Sequence, residues 1–372
     1  MTDVDDPRVW PLHAPAVAAP FHELAHASLG AATAQASDAL DADLRARLRA
    51  LLDAGDGAAL AAIFDAAPGA AIYRHLWRQL AQVEAAGGEG ALAATVFVLP
   101  LVLVAGIEEG ARMTATLPCV LRDAGALAAL LREHGALGGN QSFGLSSVLA
   151  AADALAPARL PSLLDRETLQ RAATATPLDL PPAPIQLSGA HESVHLRFLA
   201  GLAVAAPGAD LLAARDVGAW GMPLTLALGA QVAVPGTTVL ALPHAPSRLV
   251  SAVHIGRSLQ REVSAQLFVS NALRRFRASV GEPSAAISAH RAADAPTGGE
   301  LRLSLSSPFG PRDAEGFRCP LYATDRTADV VQMLVALLRD CRVADVRIVP
   351  GVHADRDPAT DVTLLFKADA LH

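Results

Sequence analysis

The chain has 372 residues, of which 52% are hydrophobic and 4% aromatic, and its formal net charge is −7 at pH 7. This length predicts two or three structural units. Because aromatic side chains are scarce, the core must be built mainly from Ala, Leu and Val. The negative net charge argues against a general nucleic-acid binder, since phosphate binding requires clustered positive charge.

The cysteines and the apolar runs indicate in which cellular compartment the protein is expected. Cys119, Cys319 and Cys341 are too few and too scattered for a disulfide framework, and an odd number fits a reducing cytoplasm. The longest apolar run, 91–107, is interrupted by Pro100 and is too short for a bilayer span, so we expect no membrane association. The first residues do not form a signal peptide. The scarcity of lysine relative to arginine indicates a bacterial, GC-rich coding bias.

Prolines and glycines divide the chain into segments of different character. The first 20 residues hold four prolines, which predicts an extended arm that lies on the surface or reaches a neighbour. A second proline-rich stretch, 176–189, is the best linker candidate. The predicted segments are an arm at 1–20, a helical layer at 21–90, a first α/β unit at 91–175, the linker, a second α/β unit at 190–283 and a C-terminal α/β unit at 284–372.

Four helical patterns make up the predicted N-terminal layer. The first covers 21–36, and Asp38 or Asp41 is a candidate N-cap for the second. The third and fourth cover 56–66 and 70–86. Glycines follow the fourth pattern and end it.

The clearest single signal is a long helix at 247–280. A β-rich run at 237–242 precedes it, and apolar residues then recur about every four positions along one face. Gly281 stands where a helix with a left-handed C-terminal residue is expected to end, and Pro283 follows. This pattern predicts a structural scaffold and does not indicate a reaction.

β-rich runs at 95–104, 194–204 and 301–305 are each followed by a helical pattern and a further strand. Strands separated by helices imply β-α-β connections. We therefore predict an α/β or α+β fold in which a helical N-terminal layer precedes two or three repeated β-α-β-like units with a mixed sheet. The similarity of 146–149 to 237–240 supports an internal repeat, and the alternative is a chance match between Ala- and Leu-rich segments.

The sharpest chemical motif is His22-Glu23-Leu24-Ala25-His26, an H-E-x-x-H sequence. On a helix the two imidazoles lie on one face and can share one Zn²⁺, while the glutamate polarises a metal-bound water. These five residues resemble the active helix of zincin metalloproteases. The resemblance implies His22 and His26 as zinc ligands, Glu23 as general base and one further ligand.

The surrounding sequence does not complete the zincin pattern. Only 21 residues precede the motif, where zincins place a sheet, and Leu29 stands where the metzincin extension needs glycine. The candidates for a third ligand are Asp38, Asp41, Glu84 and Glu108. The alternative is a partly exposed amphipathic helix.

A second H-E-x-x-H sequence runs from His191 to His195. We place its second half on a strand, where residues four apart are separated by about 13 Å. Two histidines at that separation cannot share one zinc ion.

Charged residues elsewhere are candidates for binding. Glu108, Glu109 and Arg112 follow a strand, where ligand-lining loops of α/β proteins occur, and an exposed loop is the alternative. Arg274 and Arg277 could contact RNA or phosphate. Their alternative is a solvated helix face near a C-terminus, where cations suit the helix dipole.

These observations favour a bacterial cytoplasmic protein with a non-catalytic binding, regulatory or assembly function. The alternative is a zinc-dependent hydrolase that uses residues 22–26. We expect no cofactor unless the motif binds Zn²⁺. The expected partner is a protein or a small ligand, with homo-oligomers included and nucleic acid disfavoured.

Overall fold

The computed structural model describes residues 6–11, 13–86, 93–108, 110, 114–137, 142–165, 178, 180–189, 192–205, 212, 216–279, 281–307 and 314–353. The chain divides into two compact units. The larger unit comprises residues 14–66 and 75–260, and the C-terminal unit comprises residues 1–13, 67–74 and 261–372. The segment boundaries that we drew from the sequence stay predictions.

Four helices follow the N-terminal arm: α1 (Ala19–Leu29), α2 (Ala34–Asp53), α3 (Gly57–Asp65) and α4 (Ala70–Ala86). The first predicted helix is divided at Gly30. Thr33 begins the next helix, because its side chain accepts a hydrogen bond of 3.2 Å from the amide three residues on. The expectation that Asp38 or Asp41 caps this helix is wrong, since both lie inside α2.

The next elements of the larger unit are β1 (Ala93–Ile107), β2 (Thr114–Leu117), α5 (Ala124–Glu133), β3 (Ser142–Ala150), α6 (Leu160–Leu163), β4 (Ile185–Ser188), β5 (Ser193–Ala205), α7 (Val217–Val232) and β6 (Thr237–Pro243). Four strands form an antiparallel sheet in the order β3-β5-β1-β6, and β2 pairs with β4. Helix α5 lies between β1 and β3 in the chain, and α7 lies between β5 and β6. Strands β1 and β3 are parallel with β5 between them, and β5 and β6 are parallel with β1 between them. This is the split β-α-β arrangement of ferredoxin-like topologies.

The two similar sequence segments lie at equivalent places in this sheet. Residues 146–149 belong to β3 and residues 237–240 belong to β6, the second strand of each β-α-β unit. An internal duplication stays a prediction.

Pro100 lies in β1, which has a neighbouring strand on each side. Proline cannot donate a ladder hydrogen bond and is therefore expected at an edge. Strand β6 ends at Pro243, which pairs with Leu101, and the loop beyond it donates from His244 N to Pro100 O at 2.9 Å. Pro100 thus lies where the neighbouring strand has already ended.

Helices α5 and α7 cover one face of the sheet. The core on that face includes Leu101 and Leu103 of β1, Leu127 of α5, and Trp220 and Leu224 of α7. Thr225 of α7 also donates a 2.6 Å hydrogen bond to the carbonyl of Ala241 on β6. The inward-facing apolar side chains of the strands and of the two helices therefore pack together in one buried layer.

The long helix is observed without interruption as α8 (Leu249–Ser279), and residues 249–260 belong to the larger unit. Its Gly256 lies very close to strand β5. A Cβ atom at this position would be 2.8 Å from Leu196 Cδ1 and 2.9 Å from Phe198 Cε1. A larger residue would therefore push the helix away from the sheet.

The C-terminal unit contains β7 (Ser284–Arg291), β8 (Gly299–Ser306), β9 (Ala314–Pro320), α9 (Thr327–Asp340) and β10 (Val346–His353). The sheet order is β10-β7-β8-β9, with β10 parallel to β7 and the other pairs antiparallel. One face packs on helices α8 and α9, and its core includes Leu301, Leu303, Leu273, Phe276, Leu334 and Leu338. Strands β7 and β9 were not predicted from the sequence.

A buried carboxylate caps the N-terminus of α8. Glu84, near the end of α4, accepts hydrogen bonds from the backbone N–H groups of Leu249 at 2.7 Å and Val250 at 2.9 Å. Burial raises the pKa of Glu84 to about 7, although the two amides and Arg248 act to lower it. The helix dipole and the two amides favour the carboxylate, whereas burial favours the neutral acid.

The predicted α/β class with a helical N-terminal region and a mixed sheet is confirmed. Within the described part of the chain, no helix is both long enough and apolar enough to cross a bilayer.

Glu84→Gln should change how stability depends on pH. The pKa of Glu84 is raised from 4.5 to about 7 by folding, so between these values the folded chain holds a proton that the unfolded chain has lost. Stability conferred by this group is therefore present below pH 4.5 and is lost as the pH rises toward 7, by at most about 3 kcal/mol. Urea unfolding across this range should show a decline in the wild type that the variant lacks. Parallel curves for the two proteins would contradict the assignment.

Candidate functional site

The H-E-x-x-H motif lies on helix α1, as the sequence predicts. His22 is buried, and its Nε2 is 2.8 Å from the carbonyl oxygen of Ile63 on α3. The carbonyl can only accept, so Nε2 carries the proton and Nδ1 is the basic nitrogen. That Nδ1 is buried and has no hydrogen-bond partner among the described residues. Glu23 and His26 are exposed.

These residues do not fit a zinc site well. The basic nitrogen of His22 lies inside the protein, whereas His26 lies at the surface. Zinc needs several ligands around one point. Over the described ranges, no three His, Cys, Asp or Glu side chains come together in a way that could hold a metal ion.

Two of the candidate third ligands have other partners. Glu84 caps helix α8. Asp41 accepts hydrogen bonds from Ser28 Oγ at 2.5 Å, His75 Nε2 at 2.9 Å and Gln79 Nε2 at 2.7 Å. Gln79 and His75 are buried, and Arg45 Nη1 donates to Gln79 Oε1 at 2.8 Å. This polar network joins α1, α2 and α4, and we call it the Asp41 network.

The second H-E-x-x-H sequence lies only partly within the described residues. His191 lies outside the described residues, and His195 lies on β5, as predicted. The expectation that the two histidines cannot share one zinc ion stays a prediction.

Ser193 and His195 form a pair that the sequence analysis did not identify. Ser193 Oγ is 2.7 Å from His195 Nε2, a distance seen between nucleophiles and their bases. Burial and the charge of Arg197 lower the pKa of His195, so the ring is neutral at pH 7. Within the described part of the chain, His195 has no carboxylate partner to orient it, which leaves the pair without the third member of a triad.

Two of the three predicted binding residues after β1 cannot be assigned a position. Glu109 and Arg112 lie outside the described residues. Glu108 follows β1 directly, is exposed, and donates its backbone N–H to Gly236 O at 2.9 Å. The predicted grouping of these three charges stays a prediction.

The predicted arginine face has intramolecular partners. Arg277 Nε donates to Glu282 at 2.8 Å, and Arg277 Nη2 donates to the carbonyl of Cys341 at 3.2 Å. Arg275 is paired with Glu315. Arg274 is exposed, and its Nη2 donates a long hydrogen bond of 3.4 Å to Asn271 Oδ1. The surrounding carboxylates reduce the positive charge that phosphate would meet.

A buried polar face in the C-terminal unit was also missed by the sequence analysis. The polar side chains of Glu300, Arg302 and Ser304 on β8 are at most 5% exposed. Glu300 accepts 2.7 Å hydrogen bonds from the Nε atoms of Arg302 and Arg318. Asp294 and Glu300 raise the pKa of Arg318. These pairs explain how charges can occupy a buried face, because each carries a hydrogen-bonded counter-charge.

A small cavity occurs in the larger unit. It has a volume of about 260 Å³ and is lined by Ala154, Arg159, Ser162, Leu163, Leu180 and Pro181. Pockets for drug-sized ligands usually start near ~300 Å³. The cavity therefore suits only a small ligand.

Helix α7 exposes two large hydrophobic side chains. Met222 is 65% exposed and Leu226 is 67% exposed. Both lie on the outward side of the helix with Ala219 and Ala230, which are also exposed. The spacing of these four residues places them along one stripe, and we call this stripe the α7 surface.

No protein-family model, no curated protein and no solved structure matches this chain.

Asp41→Ala should destabilise the larger unit by about 3 kcal/mol, because it leaves the donors of His75 and Gln79 buried without their acceptor. The control is Asp43→Ala on the same helix. Asp43 forms an exposed i,i+4 pair with Arg47 and should contribute less than about 0.5 kcal/mol. Urea unfolding of both variants measures the difference, and equal losses would contradict a structural role for the Asp41 network.

Proposed function

We propose that this chain is a non-catalytic assembly protein that associates with a second copy of itself through the α7 surface. The single observation that carries the proposal is the apolar character of α7 on all sides. A helix that is apolar all round is normally covered on all sides. In this chain the inner side of α7 packs on the sheet, while Met222 and Leu226 point outward.

The chemistry of the α7 surface suits a second copy. Residues 217–232 contain no charged side chain. In a two-fold symmetric dimer the same surface meets itself, so a charge near the two-fold axis would face an identical charge. A charge-free stripe avoids that repulsion in a chain whose net charge is −7.

The side chains are large enough to drive weak association. Complete burial of an exposed Met or Leu side chain contributes about 2 kcal/mol. A symmetric contact buries Met222 and Leu226 from both copies. Association also costs rotational and translational freedom, so we expect a reversible dimer that depends on concentration.

Leu226→Glu should weaken self-association at least about tenfold, because an isologous contact would place two unpaired carboxylates together. Leu226→Lys should have the same effect. An equimolar mixture of the two variants should recover dimers, since opposite charges then meet. Sedimentation velocity over a concentration series measures all three samples.

Leu240→Glu is the matched control. Leu240 is also an exposed leucine of the larger unit, but it lies on edge strand β6. This variant should associate like the wild type. A monomeric wild type, or association lost in Leu240→Glu and kept in Leu226→Glu, would overturn the proposal.

The zinc hydrolase is the alternative function. It is supported by the position of the motif on a helix and by the Ile63 carbonyl, which fixes one tautomer of His22 as protein carbonyls do for metal-binding histidines. The exposed His26 and the buried Nδ1 of His22 weigh against it. We therefore derive no hydrolytic step from these residues.

Metal analysis of protein purified without a histidine tag tests the alternative. We expect less than stoichiometric zinc in the wild type and no change in His26→Ala, because the basic nitrogen of His22 is buried whereas His26 is exposed. Stoichiometric zinc that disappears in His26→Ala would establish the metal site and contradict our preference.

A further inference from the structure

The N-terminal arm ends in a built binding site within the C-terminal unit. Arg8 is the centre of this contact, and its side chain is fully buried. A surface arm would normally leave an arginine in water. We call the surroundings of Arg8, formed by the turn at 297–299 and the loop at 321–325, the arm site.

The guanidinium of Arg8 is satisfied mainly by backbone carbonyls. Nη1 donates to the carbonyls of Tyr322 at 2.8 Å and Asp325 at 2.7 Å, and more weakly to Ala323 at 3.4 Å. The charge is balanced within the arm, because Arg8 Nε donates to the Asp6 carboxylate at 2.7 and 2.8 Å. The arm site thus binds an arginine whose charge is balanced by an acidic residue two positions earlier in the same segment.

Two glycines let the arm backbone come close to the turn between β7 and β8. A Cβ atom on Gly299 would be 2.8 Å from Arg8 N and from Pro7 C. Gly298 has a φ of +69°, and a Cβ atom there would be 2.8 Å from Val9 Cγ2. Val9 N donates to Thr297 O at 2.8 Å, so the arm is held by its backbone as well as by its side chain.

The receptor side of the arm site is organised by contacts that do not involve the arm. The Asp325 carboxylate accepts from Arg261 Nη1 at 2.5 Å and Nη2 at 3.1 Å, and from Tyr322 N at 2.7 Å. Arg74 Nη1 donates to Asp325 O at 3.0 Å, and Thr297 Oγ1 donates to Leu321 O at 2.5 Å. The loop therefore holds its carbonyls in place before Arg8 arrives, which lowers the entropy cost of binding.

We propose that the arm site is a binding site for a short extended peptide with an acid-x-arginine sequence, and that residues 6–9 occupy it as a built-in ligand. The same sequence on a separate peptide makes the same contacts when the arm is released. Recognition depends on the fork of the guanidinium, because its Nε faces Asp6 while its Nη1 faces the loop carbonyls. A lysine side chain cannot donate hydrogen bonds in both of these directions.

The test uses the full-length chain with Arg8→Ala, which weakens the arm and leaves the arm site intact. A fluorescent, N-acetylated peptide with the sequence of residues 6–11 should bind this variant, measured by anisotropy. It should bind the wild type at least about tenfold more weakly, because the arm competes. A peptide with lysine at the position of Arg8 should also lose about tenfold or more, since charge-assisted hydrogen bonds are lost.

Hydrogen exchange shows where the peptide binds, and a second variant serves as the control for binding at the arm site. Peptide binding should protect amides at 297–299 and 321–325 in Arg8→Ala. Adding Gly299→Val should abolish binding, because the branched side chain fills the space of the arm backbone. If Arg8→Ala does not fold, as judged by circular dichroism, Arg8→Lys replaces it. A folded variant that binds the peptide no better than a scrambled sequence, or protection elsewhere, overturns the proposal.

Discussion

The contact between Glu84 and the first amides of α8 is the constraint on which the arrangement of the larger unit depends. A helix N-terminus has N–H groups without internal partners, and a buried one needs an acceptor from elsewhere. Here the acceptor comes from α4, so the capping contact fixes where α8 begins. Gly256 then brings the helix backbone against β5, and a bulkier residue or a shifted start would lose that fit.

Some buried polar side chains of the described residues bind the backbone, whereas others bind one another, as in the Asp41 network and around Glu300. His22 contacts a carbonyl of α3, Glu84 binds two amides, and Arg8 binds loop carbonyls. Such bonds satisfy groups that would otherwise be costly to bury. They also use the nitrogens and oxygens that a catalytic or metal site would need.

The two proposed surfaces depend on different physics and can fail separately. The α7 surface is apolar, uncharged and without directional contacts, so it suits contact with an identical surface. The arm site is narrow and polar, and its specificity comes from hydrogen bonds to one guanidinium group. Self-association could be absent while the arm peptide still binds, and the reverse is equally consistent with the structure.

Much of the architecture could be predicted because regularly spaced apolar residues indicate helices and strands without any tertiary information. The long helix, α4, β6 and β8 were predicted within a few residues of their observed ends. Strand β7 was missed because its sequence, Ser284 to Arg291, is rich in Ala and Ser, which have little β preference. The divided first helix was missed because its apolar pattern continues across Gly30.

The sequence by itself determined the α/β class, the position of the long helix and the helical setting of the H-E-x-x-H motif, because these depend on local spacing. Only the tertiary structure decided that His22 binds Ile63, that Asp41 lies in a buried network, and that Arg8 is enclosed by two loops. Each of these contacts joins residues distant in the chain. The local spacing of apolar residues does not predict which distant backbone carbonyl will contact a given side chain.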